Sequence, residues 1–445
     1  MEVAKFSRVG FILSAAGAAV GLGNIWKFPY ITGEYGGGAF VLVYLVTILF
    51  IGVSLLVAEM LIGKKGGEDA VTSFEILAPS AKWAWAKAGF LFSIGLIIMT
   101  FYSVVIGWIF YYLYVSVTGL PTTLPEAEGI FNTLYGQSPF LQMGLHTISV
   151  VLVALVLLRG IKSGIERVNV ILVPLLIMIL LGLMVYSMQF EGFEKSLAFM
   201  FVPDFSKLNG EAIIRAVGHS FFTLSIGIGA IMAYSASLSK HTNIFKAGLW
   251  VVFLDTFIAI IAGIVIFAFL FQFGGEPAKG PGLVFMALPV IFAKLGTIGT
   301  VIALIFFLGM AFAGLTSAIS LVEPTVMYLE RRWGWVKKSA VFWSSFVYFA
   351  VGILVILSIS DGSKEYLTFG TKSLFDVLEF AVDSFLMPLG GILIALFVGF
   401  AMKRDDVEAV LLGHMGNRVF KVWYFSIRFV APLAVLFLAY NAIAM

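Results

Sequence analysis

SAAGAAVGLGNIWKFPYITGEYGGGAF, residues 14–40, sits inside the first long apolar stretch of the chain. A segment that only crosses a bilayer would be built from Leu, Ile, Val and Phe. This one carries seven glycines together with Asn24, Lys27 and Pro29. Gly17, Gly21 and Gly23 each lower helix stability by roughly 1 kcal/mol relative to alanine, and Pro29 removes a backbone donor and strains the turn before it. A helix that unwinds over residues 20–24 frees carbonyls able to coordinate Na⁺, and the half-helix that follows points N–H groups at an anion. Such broken backbone is tolerated at membrane depth only where it lines a cavity or is buried in protein. The competing reading is a Gly-x-x-x-Gly packing face between straight helices. Asn24 and Lys27 weigh against it, because an amide and an ammonium in hydrocarbon need partners.

The rest of the chain supplies the setting. Of 445 residues, 61% are hydrophobic and 12% charged, with a mean hydropathy of +1.04; soluble domains average about 45–50% and about 25%. This composition defines an all-α membrane protein of many spans. Eleven transmembrane helices are expected, at about 9–33, 39–63, 87–117, 140–158, 166–188, 211–237, 246–273, 293–329, 339–358, 375–401 and 420–442, each long enough for a hydrocarbon core of about 30 Å. Polar connections such as TGLPTTLPEAEG and FGGEPAKGPG separate them, with no soluble domain inserted and no cleavable signal peptide expected. Most Lys and Arg fall in segments that face inward when the N-terminus is cytoplasmic, with RWGWVKK (residues 332–338) the clearest inner loop. The absence of cysteine excludes disulfides and thiolate metal sites. A net charge of +3 is too small to suggest nucleic acid.

The sixth segment repeats the signal of the first. GHSFFTLSIGIGAI (residues 218–231) also places glycines and hydroxyls at mid-membrane depth. Breaks in segments one and six fit an inverted 5+5 repeat whose discontinuous helices meet at the bilayer midplane. The expected division is 1–188 for helices 1–5, 189–401 for helices 6–10 and 402–445 for helix 11.

Further polar groups lie within the spans. Lys27 needs a partner, and Glu379 in SLFDVLEFAVDSF is the candidate for a gate-like pair, with Asp376 a turn before it; snorkelling to the headgroups is the plainer alternative. Thr223 and Ser225 in the second break, and Ala313, Thr316 and Ser317 in AGLTSAIS, supply oxygens of the kind a hard cation takes, although such hydroxyls often bond only to the preceding turn. Asp255 and Glu59 are intramembrane carboxylates and hence functional candidates. His219 is expected to be a hydrogen-bonded core histidine, and Arg428 and His146 receive no role. No HExxH, P-loop or Ser/His/Asp grouping is present, so no enzyme is expected.

At AAGxAVGLGNIWKFPY, GGGAF, FFTLSIGIGAI and AGLTSAIS the chain resembles the neurotransmitter:sodium symporter family, and is similar to its bacterial leucine and multi-hydrophobic amino-acid transporters over nearly the whole length. The resemblance implies a symporter of neutral hydrophobic amino acids, driven by Na⁺ at two sites, in the cell inner membrane as a monomer or weak dimer. It implies one sodium site from the Ala19 carbonyl, Asn24, Thr223 and Asp255, and a second from the Gly17, Val20 and Ala313 carbonyls with Thr316 and Ser317. The substrate carboxylate would meet the amides of Leu22 and Gly23 and the Tyr102 hydroxyl, and its amine the carbonyls around Ala19, Phe222 and Ser225. Ile98, Tyr102, Phe222, Ile228, Ser317 and Leu321 would line the pocket, Phe222 and Tyr102 forming its lid beneath Lys27 and Glu379. Glu59 would hold amides freed by the second break.

Three departures from the family pattern, and one match to it, carry expectations. Residues 17–23 lack the aspartate of amine-transporting members, so the substrate brings its own carboxylate. Asp255 stands where leucine transporters have Asn, and Ala259 where they have Glu, near Tyr44, His219 and Thr223; chloride independence is therefore expected. Glu2 would face Arg331 as a charge-swapped latch. Gly164 and Pro174 match the spacing at which the fifth helix unwinds, a kinking proline being the alternative. A sodium-dependent sensor without net transport would share the same site.

Overall fold

A computed structural model describes residues 5–239, 241–275 and 282–444. The fold is helical, apart from a short hairpin pairing Thr368–Phe369 with Lys372–Ser373. The helices that position the site are α1 (Arg8–Ala19), α2 (Gly23–Glu34), α3 (Gly38–Gly66), α4 (Lys82–Thr118), α5 (Pro139–Leu158), α6 (Ile161–Ser187), α7 (Gly210–Thr223), α8 (Ala230–Ala236), α9 (Ile244–Gln272), α10 (Thr297–Trp333), α11 (Lys337–Ile359), α12 (Leu374–Ala401) and α13 (Arg404–Leu438).

Among the described residues nine helices are long and apolar enough to cross a membrane, ten when α1 and α2 count as one broken span. The sixth expected segment does not qualify by length. It is two short helices, α7 and α8, separated by the non-helical residues 224–229.

Both breaks have visible local causes. The hydroxyl of Ser7 accepts from Gly10 N–H at 3.0 Å and starts α1. The helix stops at Val20, whose backbone turns extended (φ −70°, ψ 104°), and α2 restarts at Gly23 with a bend of 52°. In the second break Ser225 adopts φ 52°, a left-handed conformation that costs an L-residue about 1–2 kcal/mol. Its hydroxyl donates to the Ala18 carbonyl at 2.8 Å, which ties the second break to the first. Glu59 on α3 accepts from Gly227 N–H at 3.1 Å and Met232 N–H at 3.3 Å. A buried carboxylate thus satisfies amides that the missing helical turn leaves without carbonyls.

The unwound part of the first span lies in the middle of the molecule. α1 packs against α6, α9 and α10, and α10 lies along α4. Around this centre Tyr44, Trp108, Tyr112 and Tyr234 are fully buried, whereas Leu49, Phe50, Leu152, Met178 and Phe253 face outward, as lipid-facing positions do. α6 opens with a π-helical turn, Ile161–Glu166, that contains Gly164, and then stays wound through Pro174. The expected unwinding between Gly164 and Pro174 is therefore not seen in this conformation. Glu2, the expected partner of Arg331, lies outside the described residues; Arg331 pairs with Glu68 at 3.3 Å in the loop after α3.

Candidate functional site

The first cluster forms where the break in α1 meets α7 and α9. The Asn24 amide nitrogen donates to Asp255 Oδ1 at 2.8 Å, to the Asp255 carbonyl at 3.1 Å and to Thr223 Oγ1 at 3.0 Å. Thr223 in turn donates to the Asp255 carboxylate at 3.0 Å. The Asn24 amide oxygen accepts from Gly21 N–H at 3.0 Å, so the side chain also staples the unwound backbone. Asp255 is completely buried and has no cationic partner among the described residues. Burying a carboxylate is costly without a compensating charge, and this donor set of carboxylate, hydroxyl and amide suits a hard monovalent cation.

A second cluster lies on the other side of the break. Ser317 Oγ on α10 donates to the Val20 carbonyl at 3.0 Å and the Gly17 carbonyl at 3.2 Å. Thr316 Oγ1 donates to the Ala313 carbonyl at 3.0 Å and the Phe312 carbonyl at 2.9 Å. The threonine is thus bonded to its own preceding turn, with its lone pairs still available. Ser317 thus gathers the Gly17 and Val20 carbonyls, and Ala313 and Thr316 lie one turn and one residue before it on α10.

Between the clusters is a cavity of about 30 Å³ lined by Ala19, Leu22, Gly23, Ile98, Tyr102, Phe222, Ser225, Ile228, Ser317 and Leu321, with Ala18, Gly21 and Thr223. Every residue expected at the pocket therefore lines it. The Tyr102 hydroxyl lies 3.3 Å from Leu22 N–H. Gly21 is required by close approach, since a Cβ there would fall 2.7 Å from Ser317 Oγ and 3.0 Å from Tyr102 OH. The cavity has room for only a water or two beside its lining side chains.

Above that ring the arrangement differs from expectation in one partner. Lys27 pairs with Asp383, not Glu379, and its ammonium sits 4.3 Å over the Phe222 ring. Asp383 is one turn further along α12 than Glu379 and so reaches the lysine more directly. Glu379 lines the adjoining outer cavity of about 250 Å³ with Trp26, Tyr30, Trp108 and Asp376. Asp376 mainly caps α12 through a reciprocal pair of bonds with Ser373. The i, i+4 spacing of Glu379 and Asp383 could have flagged both carboxylates from sequence.

His219 also departs from expectation. It is buried, and neither ring nitrogen has a hydrogen-bond partner among the described residues. It packs instead against Phe28, with ring centres 5.7 Å apart, and Tyr44, at 5.5 Å. Aromatic packing replaces the expected hydrogen bonding at this position.

Two unwound segments tied to each other, with oxygen atoms gathered around them, fit the class of broken-helix membrane transporters. The chain belongs to the sodium:neurotransmitter symporter family, whose model matches residues 4–133 and 133–445. It is similar to an uncharacterised sodium-dependent transporter of Bacillus subtilis, 34% identical over 98% of this chain and 97% of that protein. One from Haemophilus influenzae is 32% identical over 97% and 96%. The bovine sodium-dependent dopamine transporter is 25% identical, over 98% of this chain and 68% of its own. In structure the chain resembles MhsT, solved in complex with L-phenylalanine, with a TM-score of 0.89, 39% identity and 99% of each chain covered.

Proposed function

We propose that this transporter couples two Na⁺ ions to the symport of a neutral hydrophobic amino acid by alternating access, without chloride. The observation that carries this reading is the Asp255 carboxylate, buried with no cationic side chain beside it among the described residues and tied to the broken span through Asn24. Na⁺ bound there would replace the Asn24 amide hydrogens at the carboxylate, with the Ala19 carbonyl and Thr223 as further ligands. The oxygens of Gly17, Val20, Ala313, Thr316 and Ser317 would hold the second ion. With Asp255 as a permanent charge, chloride is not needed to balance the pocket.

Residues 17–23 carry no acid, so the substrate supplies the carboxylate. It would lie at Leu22, Gly23 and Tyr102, beside the first sodium. Because ion and substrate touch, each raises the other's affinity. A half-filled pocket closed under Phe222 would bury an unpaired charge, which disfavours sodium leak. Ile98, Ile228 and Leu321 make the side-chain subsite apolar, and the phenylalanine complex of MhsT supports a substrate of that class. We place the chain in the inner membrane with eleven crossings, α7 and α8 together forming the sixth. The N-terminus is cytoplasmic, the two five-helix halves are inverted, and the molecule is a monomer or weak dimer.

The test is uptake of labelled amino acids into proteoliposomes under an inward Na⁺ or K⁺ gradient. Accumulation of a hydrophobic amino acid above equilibrium with Na⁺ alone is expected. Sodium-dependent binding without accumulation would reassign the protein as a sensor.

A further inference from the structure

Arg428 has no part in the transport site, yet it sits within a membrane-crossing helix, α13. Its guanidinium carbon lies 4.7 Å from the centre of the Phe400 ring, 5.5 Å from that of Tyr424 and 5.6 Å from that of Phe429. Phe400 and Phe429 are both exposed on the outer surface of the helices, so this aromatic cradle opens toward the bilayer. Among the described residues the guanidinium has no hydrogen bond and no acidic partner, and its Nε is buried without an acceptor. Ring faces attract a cation but leave the guanidinium's five N–H donors without conventional acceptors. In hydrocarbon that deficit is expensive.

The position along the membrane narrows what can fill it. The stem of Arg428 passes Gly399 so closely that a Cβ there would lie 3.0 Å from Arg428 Cγ. Gly399 is two residues, about 3 Å of helical rise, from the end of α12 at Ala401. Lys403 and Arg404 follow at once. Arg404 lies 5.5 Å from the same Tyr424 ring, which thus attracts both guanidinium groups. Of the nearby acids, Glu408 pairs with Arg404 at 2.7 Å and Asp406 with Lys65 at 2.7 Å, while Asp405 is exposed beside Arg404. Arg428 is therefore a cation without an acidic partner among the described residues, one turn inside the end of α12 and open to lipid through aromatic rings.

We propose that Arg428 binds the phosphate of an anionic phospholipid at the rim of α12 and α13, assisted by Arg404, with the acyl chains against Phe400, Phe425 and Phe429. A phosphate diester offers the paired oxygens that a guanidinium fork grips bidentately. The rings supply the apolar surface that a free phosphate ion has no use for.

Native mass spectrometry of the full chain in mild detergent, with phosphatidylglycerol and phosphatidylcholine added in equal amounts, tests this. The wild type is expected to retain phosphatidylglycerol preferentially. Arg428→Gln should lower that retention by about tenfold or more and leave phosphatidylcholine unchanged, while Arg428→Lys keeps part of the preference. Excess glycerol phosphate should not displace the lipid; displacement would mean a free-phosphate site and overturn the lipid assignment. Equal retention of both lipids by the wild type, or undiminished phosphatidylglycerol on Arg428→Gln, would overturn the site. If Arg428→Gln is not monodisperse, Arg428→Lys and Arg404→Gln carry the test, and full retention by both counts against the proposal.

Discussion

The amide nitrogen of Asn24 and the carboxylate of Asp255, 231 residues apart in sequence, meet at 2.8 Å in the centre of the molecule. One group sits in the first turn of α2, just past the break in the first span, and the other in the middle of α9. Any cation that engages Asp255 must displace or turn Asn24, which also holds Gly21 N–H. Ion occupancy and the shape of the break are thereby linked through one side chain.

Replacing chloride with gluconate outside the vesicles should leave wild-type uptake unchanged. Asp255→Asn removes the fixed charge while keeping the size of the side chain. That variant should need about tenfold more Na⁺ for half-maximal uptake or become stimulated by chloride. Chloride-dependent uptake by the wild type would sink the charge-compensation argument.

The hydroxyls of Thr316 and Ser317 are the only side-chain ligands proposed for the second ion. Thr316→Val and Ser317→Ala should each weaken sodium dependence of substrate binding by roughly tenfold, in line with hydrogen-bond-strength contacts to a charged group. Scintillation proximity binding across a Na⁺ titration reads this directly. An unchanged midpoint in both variants would remove the second site from the proposal.

Gly21→Ala puts a methyl group 2.7 Å from Ser317 Oγ and 3.0 Å from Tyr102 OH. Substrate binding should fall below detection while the protein remains monodisperse, because the clash is confined to the break. Near-normal affinity would mean that the break relaxes freely and that Gly21 marks packing alone.

Lys27, Asp383 and Glu379 separate in a double-mutant cycle. Asp383→Asn should slow uptake more than Glu379→Gln does, and the Lys27–Asp383 coupling should be on the order of 1 kcal/mol for a pair of this partial exposure. A larger effect from Glu379→Gln would restore Glu379 as the working partner.

Ser225 tests the link between the two breaks. Ser225→Gly relieves the positive φ but deletes the bond to the Ala18 carbonyl. If the tie matters, uptake falls although backbone strain has been removed. Unchanged or faster uptake would assign the serine no role beyond filling its position.

Much of this protein was legible in one dimension. Membrane residence followed from apolar runs, since a bilayer imposes a length and a polarity that composition alone reports. The two breaks followed from glycines, Pro29 and misplaced polar groups, which are local costs in a helix and so visible locally. Ala19, Leu22, Gly23, Phe222, Ser225 and Ile228 lie at or beside those breaks, whereas Ile98, Tyr102, Ser317 and Leu321 lie on other helices. The set as a whole was readable through the family resemblance. Long-range pairing was not readable in the same way. Whether Lys27 meets Glu379 or Asp383 depends on the rotation and depth of α12 beside α2, a difference of one helical turn that hydrophobic periodicity does not encode. His219 resting between Phe28 and Tyr44 without a hydrogen bond, and Arg428 lying in an aromatic cradle without an acid, depend on which faces of separate helices come together. Sequence determined which segments cross the membrane and where they break; tertiary packing decided which buried charges found partners, because partnership is a property of distance between helices and not of order along the chain.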